Sequence, residues 1–331
     1  MEISRRNLLK GLGTIPFFGA FGWAYATKKS KSDLTAIDYL KEMGFDFNID
    51  VVPPSYRAST DGQTIKLGII GNGWRGAQIL RALGYADPSW YNKHTTGSVA
   101  AAFHRQPNLN IQVTAICDTF SVYVDNGLEL VKNSIHADYS TGQSESVKGY
   151  VDYRDLLADS NVDAVMILTP DHWHAAMAID AIKAGKHVYL EKPMTRTAEE
   201  ANALRDTVNN SNLVFQLGHQ NRQQVSHILA SHLLKQGIVG KVSLIETSTN
   251  RNSEHGAWKR GIHPKGTPET INWKLFLGDA PWHPFDPDRY FNWQKWFEYG
   301  TSVAGNQFTH YFDAINQIIN LGIPASAMAS G

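Results

Sequence analysis

The first sustained pattern along the chain is TIKLGIIGNGWRGAQILRAL, residues 64–83. It begins as a short β-branched run and changes at its glycines to apolar positions at helical spacing, which predicts a strand, a tight turn and a helix. IQVTAICD (111–118) predicts a second strand. VDAVMILTP (162–170) is apolar without alternation, the mark of a strand buried on both faces. HAAMAIDAIKAG (174–185) has helical spacing and stops at Gly185. KHVYLEKP then predicts a strand, Thr197 to about Asn209 a helix, and LVFQLGH another strand. This alternation predicts an α/β fold with a doubly wound parallel sheet. Between the first helix and second strand, GYADPSWYNKHTTGSVAAAFHRQPN reads as an inserted loop because glycine, proline and polar residues dominate it.

Beyond the helix VSHILASHLLKQG the character changes. KVSLIETSTNR (241–251) alternates like a half-exposed strand, aromatic loops containing Trp258, Trp273, Trp282, Trp293 and Trp296 follow, and GNQFTHYFDAINQIINLG (305–322) has helical spacing. The pattern predicts a second α+β domain with an open, mostly antiparallel sheet. The expected layout is a leader at 1–26, an arm at 27–63, a dinucleotide-binding domain at 64–220 and a second domain at 221–331. The chain ends in ASAMASG, which reads like a strand just starting, so a fragment with an incomplete sheet is one expectation.

The glycines carry the first chemistry. Gly71, Gly73 and Gly76 form G-x-G-x-x-G in a strand–turn–helix context, with Asn72, Trp74 and Arg75 between them. The first glycine allows the turn, the second lets backbone approach a pyrophosphate, and the third lets helix pack on strand. The helix amino terminus attracts the phosphate charge. Asp118 ends the second strand, where an acid accepts hydrogen bonds from ribose hydroxyls and repels a 2′-phosphate, so NAD is expected over NADP. It stands 42 positions beyond Gly76, about double the roughly 20 usual for this unit. The remaining strand ends read TPDHWH, EKPMT and GHQNR, and ligands of open parallel sheets bind at that rim.

Composition narrows the field. The 331 residues exceed what one core usually serves, and 42% hydrophobic with 19% charged is typical of a globular protein. Formal charge is zero, and loss of residues 1–26 would remove three basic and one acidic side chain. Neither nucleic acid nor stable membrane insertion is therefore expected. Cys117 is the only cysteine, so no internal disulfide can form.

Together, GIIGNGWRG, ICD, TPDHWHAAMAIDAIKAGKHVYLEKPMT and GHQNR, in this order, resemble the glucose–fructose oxidoreductase and inositol dehydrogenase (Gfo/Idh/MocA) family of NAD(P)-dependent oxidoreductases. AGKHVYLEKP is the most specific segment. The resemblance implies a Rossmann domain that holds the nicotinamide and a second domain that offers its sheet to a sugar or polyol and commonly to a second subunit. It implies Lys192 as the active-site lysine, with Glu191 and Pro193 beside it. Oxidising an alcohol requires a cation near the developing alkoxide and a base within reach, which suits Lys192 as the cation. The base is expected from the helix carrying Asn306, His310 and Asp313. Related sequences often hold an aspartate where this chain has Asn306, which cannot take a proton, so His310 is the expected base, converging with Lys192 on one hydroxyl.

Further cofactor contacts are expected from Thr169, Pro170, His174 and Gln220. Substrate contacts are expected from His219, Arg222, Arg251, Trp273, Arg289 and Tyr299, with His172 or Trp173 shaping the pocket wall. His172 and His174 lack a third ligand at zinc spacing, so no metal is expected. SRRNLLKGLG (4–13), the short apolar run after it and Ala24-Tyr25-Ala26 resemble a twin-arginine signal with a cleavage site, implying export to the periplasm. The resemblance extends to exported NAD-dependent glycosidases that start with twin arginines. Nicotinamide is scarce outside the cytoplasm, so a tightly held, internally recycled cofactor is expected. Three readings stand: an oxidoreductase of a sugar, polyol or derivative; a glycosidase using transient oxidation and elimination; and a non-catalytic nucleotide- or sugar-binding protein.

Overall fold

The computed structural model describes Lys41, residues 44 and 45, and residues 64–94, 96–135, 147–248 and 258–328. The expected signal at 1–26 and Arg251 lie outside the described residues. The chain divides into two compact units. One comprises Tyr56–Gly218 with Arg251–Gln307, and the other Met1–Ser55, His219–Asn250 and Phe308–Gly331.

The first unit is built on six parallel strands: β1 (Ile65–Ile70), β2 (Ile111–Cys117), β3 (Lys148–Tyr150), β4 (Ala164–Ile167), β5 (His187–Glu191) and β6 (Phe215–Gly218). They lie in the order β3-β2-β1-β4-β5-β6, so the chain reverses direction across the sheet between β1 and β4, where such folds bind ligands. Helices α1 (Trp74–Ala82), α4 (Ser121–Leu130), α5 (Tyr153–Ala158), α6 (Asp171–Lys183) and α7 (Ala198–Asn209) follow the strands. α7 starts at a capping box in which Thr197 and Glu200 satisfy each other's backbone amides. One face of the sheet buries Ile70, Cys117, Val165, Ile167, Val188 and Leu190 with α5 to α7. The other buries Leu67, Ile69, Val113 and Ile116 against Leu80. Val113 and Ile116 share a face although three apart because the β1–β2 register slips between Leu67 and Gly68. Cys117 is buried, and desolvation with neighbouring Asp118 pushes its thiol up, so it behaves as a small hydrophobe.

Two departures from the sequence expectations stand out. The inserted segment after α1 is not loop throughout: it forms α2 (Pro88–Lys93) and α3 (Gly97–His104). Tyr85 and Phe103 are buried there, giving these short helices the apolar anchors that a count of glycine and proline overlooks.

The second departure is the aromatic segment at 258–307, which clusters with the Rossmann sheet. Its helices α9 (Trp273–Leu277) and α10 (Pro287–Phe291) bury Ile271, Phe276, Leu277, Tyr290, Phe291 and Tyr299 against Phe120, just after β2. Phe120 bridges Ile271. Ser121 N–H donates to Thr270 O at 2.9 Å, and Asn272 N–H to Thr119 O at 2.7 Å.

In the second unit, a 3-10 turn at Gln220–Gln223 leads into α8 (Val225–Lys235). The long helix α11 (Ser302–Ile319) begins in the first unit and ends in the second. The strand expected from residue 241 is absent over the described residues 241–248, where Leu244 is 74% exposed. Alternation becomes a strand only when a neighbour pairs its backbone, and no described segment does so.

Candidate nucleotide and active site

The glycine turn sits at the carboxyl end of β1. Gly71 has φ +89°, a conformation that disfavours any side chain. A Cβ there would lie 2.8 Å from the Leu168 carbonyl carbon and oxygen, so β1 and β4 meet at a contact only glycine permits. Its N–H donates to Cys117 O at 2.8 Å. Gly76 brings α1 equally close, since a Cβ would lie 2.7 Å from Gly71 O. Gly73 differs: a Cβ would meet only the Tyr123 ring, at 3.5 Å, an ordinary contact.

Asp118 faces inward. Its Oδ2 accepts from Asn72 N–H at 2.8 Å, and its Oδ1 from Phe120 N–H at 2.9 Å and the Tyr290 hydroxyl at 3.0 Å. Burial pushes the carboxyl up to about 6 against the pull of those hydrogen bonds. In this structure the Asp118 carboxylate ties together the glycine turn, the start of α4 and the aromatic segment. The Asn72 amide donates to Tyr123 O at 2.8 Å.

TPDHWH anchors the aromatic segment. Asp171 Oδ2 accepts from Thr301 N–H and Oγ1 at 2.9 and 2.7 Å. The Trp173 indole donates to Phe276 O at 2.9 Å, and His172 Nε2 lies 2.8 Å from the same oxygen. Burial pushes His172 down to about 4. His174 is buried with its ring nitrogens 2.6 Å from Pro193 O and 3.0 Å from Thr169 O, so it fastens two strand ends together. Both histidines of DHWH therefore face main-chain carbonyls. Sequence reasoning passed over Asp171, although an acid in the first turn of a helix after a strand end was signal enough.

At the end of β5, Glu191 is buried and accepts from Arg75 Nε at 3.1 Å and the Tyr189 hydroxyl at 3.4 Å, joining EKP to the glycine turn. The Lys192–Pro193 peptide is cis. Lys192 Nζ donates to Asn306 Oδ1 at 2.8 Å and Asn306 O at 3.0 Å. Desolvation lowers its pKa, partly opposed by Glu191 and Asp171.

The expected substrate residues divide. Trp273 stacks on Phe276 and donates to His283 O at 2.6 Å. Tyr299 is fully buried, and the buried Arg289 lies 3.8 Å above the Trp296 ring while donating to Glu298 and Tyr299. These three pack within the aromatic segment, where Arg289 Nε is buried without a hydrogen-bond partner among the described residues. In the second unit, Arg222 clasps both oxygens of the buried Asp313 at 2.8 and 3.0 Å. His219 Nε2 lies 2.9 Å from Thr309 Oγ1, its Nδ1 3.7 Å from Asp313, and its ring packs edge-on to His310 at 6.2 Å. Asp313 thus serves Arg222 and His219. Gln220 is exposed in the 3-10 turn. Lys192 belongs to the first unit and His310 to the second.

Residues 65–219 match the model of an oxidoreductase family, Gfo/Idh/MocA, with an NAD-binding Rossmann fold. The segment is similar to the NAD-binding Rossmann domain of that family. The chain is 30% identical over 188 residues to levoglucosan dehydrogenase of Pseudarthrobacter phenanthrenivorans, covering 54% of this chain and 41% of that protein. It is 29% identical over 167 residues to an alpha-N-acetylgalactosaminidase of Shewanella oneidensis, covering 47% and 35%. The match thus spans less than half the length of either relative. Among solved structures it is similar to scyllo-inositol dehydrogenase of Lactobacillus casei with bound NAD(H) and scyllo-inositol, with TM-score 0.38, 23% identity, and coverage of 54% and 43%.

The residues of this Rossmann domain fit the nucleotide. The space beside Gly73 is one the protein itself does not need, and the first turn of α1 has neither a side-chain cap nor an acid. At the same rim, buried Thr169 Oγ1 has no hydrogen-bond partner among the described residues. An orphaned hydroxyl, open amides and an unneeded glycine suit a dinucleotide lying over the turn.

Proposed function

We propose that the chain is an NAD(P)-dependent oxidoreductase that acts on a CH–OH group of a sugar, polyol or sugar derivative, with Lys192 as catalytic residue. The observation that carries this reading is the attachment of Lys192. An ammonium has three donors; Asn306 takes two, and the third remains for a substrate oxygen at the rim beside the glycine turn. The bound nicotinamide supplies the hydride acceptor. Lys192, as the ammonium, stabilises the alkoxide that forms as the hydroxyl gives its proton to a base. His310 is assigned as the base. That assignment rests on the family resemblance and on its place four residues after Asn306 in α11, with the neutral amide of Asn306 unable to serve.

A sugar panel with purified protein, read by the near-ultraviolet absorbance of reduced nicotinamide, tests the reading. Lys192→Met should bind nucleotide normally and lose roughly 10²–10³ in kcat. A wild-type protein that binds nucleotide yet neither reduces it nor cleaves any glycoside would sink the enzymatic account and leave a binding protein. The relative described as an alpha-N-acetylgalactosaminidase favours a second reading, glycoside cleavage by transient oxidation and elimination. Its signature is release of the leaving group with no net accumulation of reduced nucleotide.

The proposal extends to compartment. The twin-arginine pattern at 4–13 supports export of folded protein already carrying its cofactor, which a closed redox cycle then regenerates. Protein purified from the periplasm should release stoichiometric nucleotide on denaturation. Protein that arrives empty and needs added NAD for activity contradicts this part.

A further inference from the structure

The aromatic segment delivers one cation that the reading above does not use. The backbone of Arg260 is pinned at both ends by buried Asn292. Its N–H donates to Asn292 Oδ1 at 2.6 Å, and its carbonyl accepts from Asn292 Nδ2 at 3.1 Å. Asn292 is fixed in turn by a 2.8 Å bond to Asp288. The segment thus presents Arg260 from a rigid base. The Arg260 guanidinium carbon lies 5.2 Å from the ring centroid of Trp74, the first residue of α1.

No carboxylate of a described residue answers this charge, and burial pushes the guanidinium's pKa down, opposed only by the titratable hydroxyl of Tyr123. A half-buried cation without a counter-ion is costly, and stacking on an indole recovers only part of the cost. Such a group is stable where an anion arrives. Three independent features place that anion. Trp74 opens the nine-residue helix α1, whose first turn lacks a side-chain cap and an acid. The Tyr123 ring, whose hydroxyl feels the charge of Arg260, is the side chain that borders the open space at Gly73. Asp118, just beyond β2, is turned inward onto Asn72, Phe120 and Tyr290 and does not pair with the cation.

We propose that Arg260 contacts a phosphate of the bound dinucleotide, closing the cradle from the side opposite the glycines while Trp74 holds its guanidinium flat. The proposal rests on the nucleotide-binding reading and adds a residue from outside the glycine motif. Two phosphates offer the same chemistry, the pyrophosphate and the 2′-phosphate of NADP, and affinities for both nucleotides separate them.

Calorimetric titration of NAD and NADP into wild type and Arg260→Met provides the test. The variant should melt with the wild type when nucleotide is absent, because the guanidinium makes no hydrogen bond to a described residue that would be lost. Loss of about tenfold in affinity for both nucleotides places Arg260 on the pyrophosphate; the same loss for NADP alone places it on the 2′-phosphate. Affinities equal to wild type for both overturn the proposal and leave the nucleotide-binding reading intact. A wild type that binds neither nucleotide overturns both. If the variant does not fold, the wild type still decides. Arginine-directed dicarbonyl labelling, read by peptide mass, should slow at Arg260 when NAD or NADP is present, and an unchanged labelling rate refutes the contact.

Discussion

Alanine at Gly73 and at Gly71 should separate what the fold requires from what the ligand requires. At Gly71 a methyl group meets two penalties. The residue holds φ +89°, which costs an L-residue about 1–2 kcal/mol. The new Cβ would also stand 2.8 Å from the carbonyl carbon and oxygen of Leu168 and 3.0 Å from Thr169 N, all backbone atoms that cannot rotate away. Together these destabilise by about 2–4 kcal/mol, which lowers Tm by roughly 5–10 °C in a domain of this size. At Gly73 the φ is −73° and the methyl would touch only the edge of Tyr123 at 3.5 Å. Gly73→Ala should therefore stay within about 0.5 kcal/mol of wild type. The same methyl occupies the space through which a phosphate reaches the helix amides, so NAD affinity should fall at least about tenfold, or about 1.4 kcal/mol. Thermal melts without nucleotide and NAD titrations of each variant provide the measurements. An alanine at Gly73 that binds NAD as tightly as wild type would refute the placement of the nucleotide over this turn. An alanine at Gly71 that melts with the wild type would refute the steric argument.

Two further outcomes follow from buried titrating groups. His172 has a folded-state pKa of about 4 against 6.5 unfolded, so its contribution to stability is present above 6.5 and is lost as pH falls toward 4. His172→Gln keeps a donor for Phe276 O and removes that slope. Chemical denaturation at pH 7.5 and 4.5 should show the stability difference between variant and wild type moving by about 2–3 kcal/mol in favour of the variant, and a pH-independent difference rules the assignment out. Asp118 has the opposite sign: its folded pKa of about 6 against 3.8 makes its contribution fully present below 3.8 and lost as pH rises through 6. Tyr290→Phe removes a donor to that carboxyl, so it should cost about 1.5–3 kcal/mol at pH 7.5, where the group is ionised, and clearly less at pH 5. Equal costs at both pH values would contradict the inward orientation of Asp118.

The Rossmann sheet was legible because its signals are local. Runs such as AVMI in β4, buried on one face and half-buried on the other, are apolar throughout, and each connecting helix shows its own period and stop. β3 has only three residues and an exposed, weakly apolar pattern, so no window could find it. The aromatic segment was misassigned for a different reason. Its tryptophans and tyrosines indicate burial without naming the surface they bury against, and that surface is set by Phe120, far away in the chain. The inserted helices after α1 were hidden because six- and eight-residue helices owe their stability to Tyr85 and Phe103, not to propensity.

The same distinction governs the site. Gly71 and Gly76 could be read from spacing because backbone sterics act within a few residues, whereas strand position alone placed Lys192 at the rim and its role came from the family resemblance. Asp118 could be placed at the rim but its direction could not be read. An aspartate at a strand end can turn toward a ribose or toward the amides of the adjacent turn, and the choice here is reinforced by a tyrosine 172 positions later. Two backbone donors and one phenol meet both oxygens of the carboxylate, which offsets the burial that would otherwise keep the group protonated at neutral pH. A carboxylate so occupied has little left to offer a ligand. Recognition at this edge of the cradle then falls to groups whose bonding capacity is unspent, the open amides of α1 and the guanidinium of Arg260.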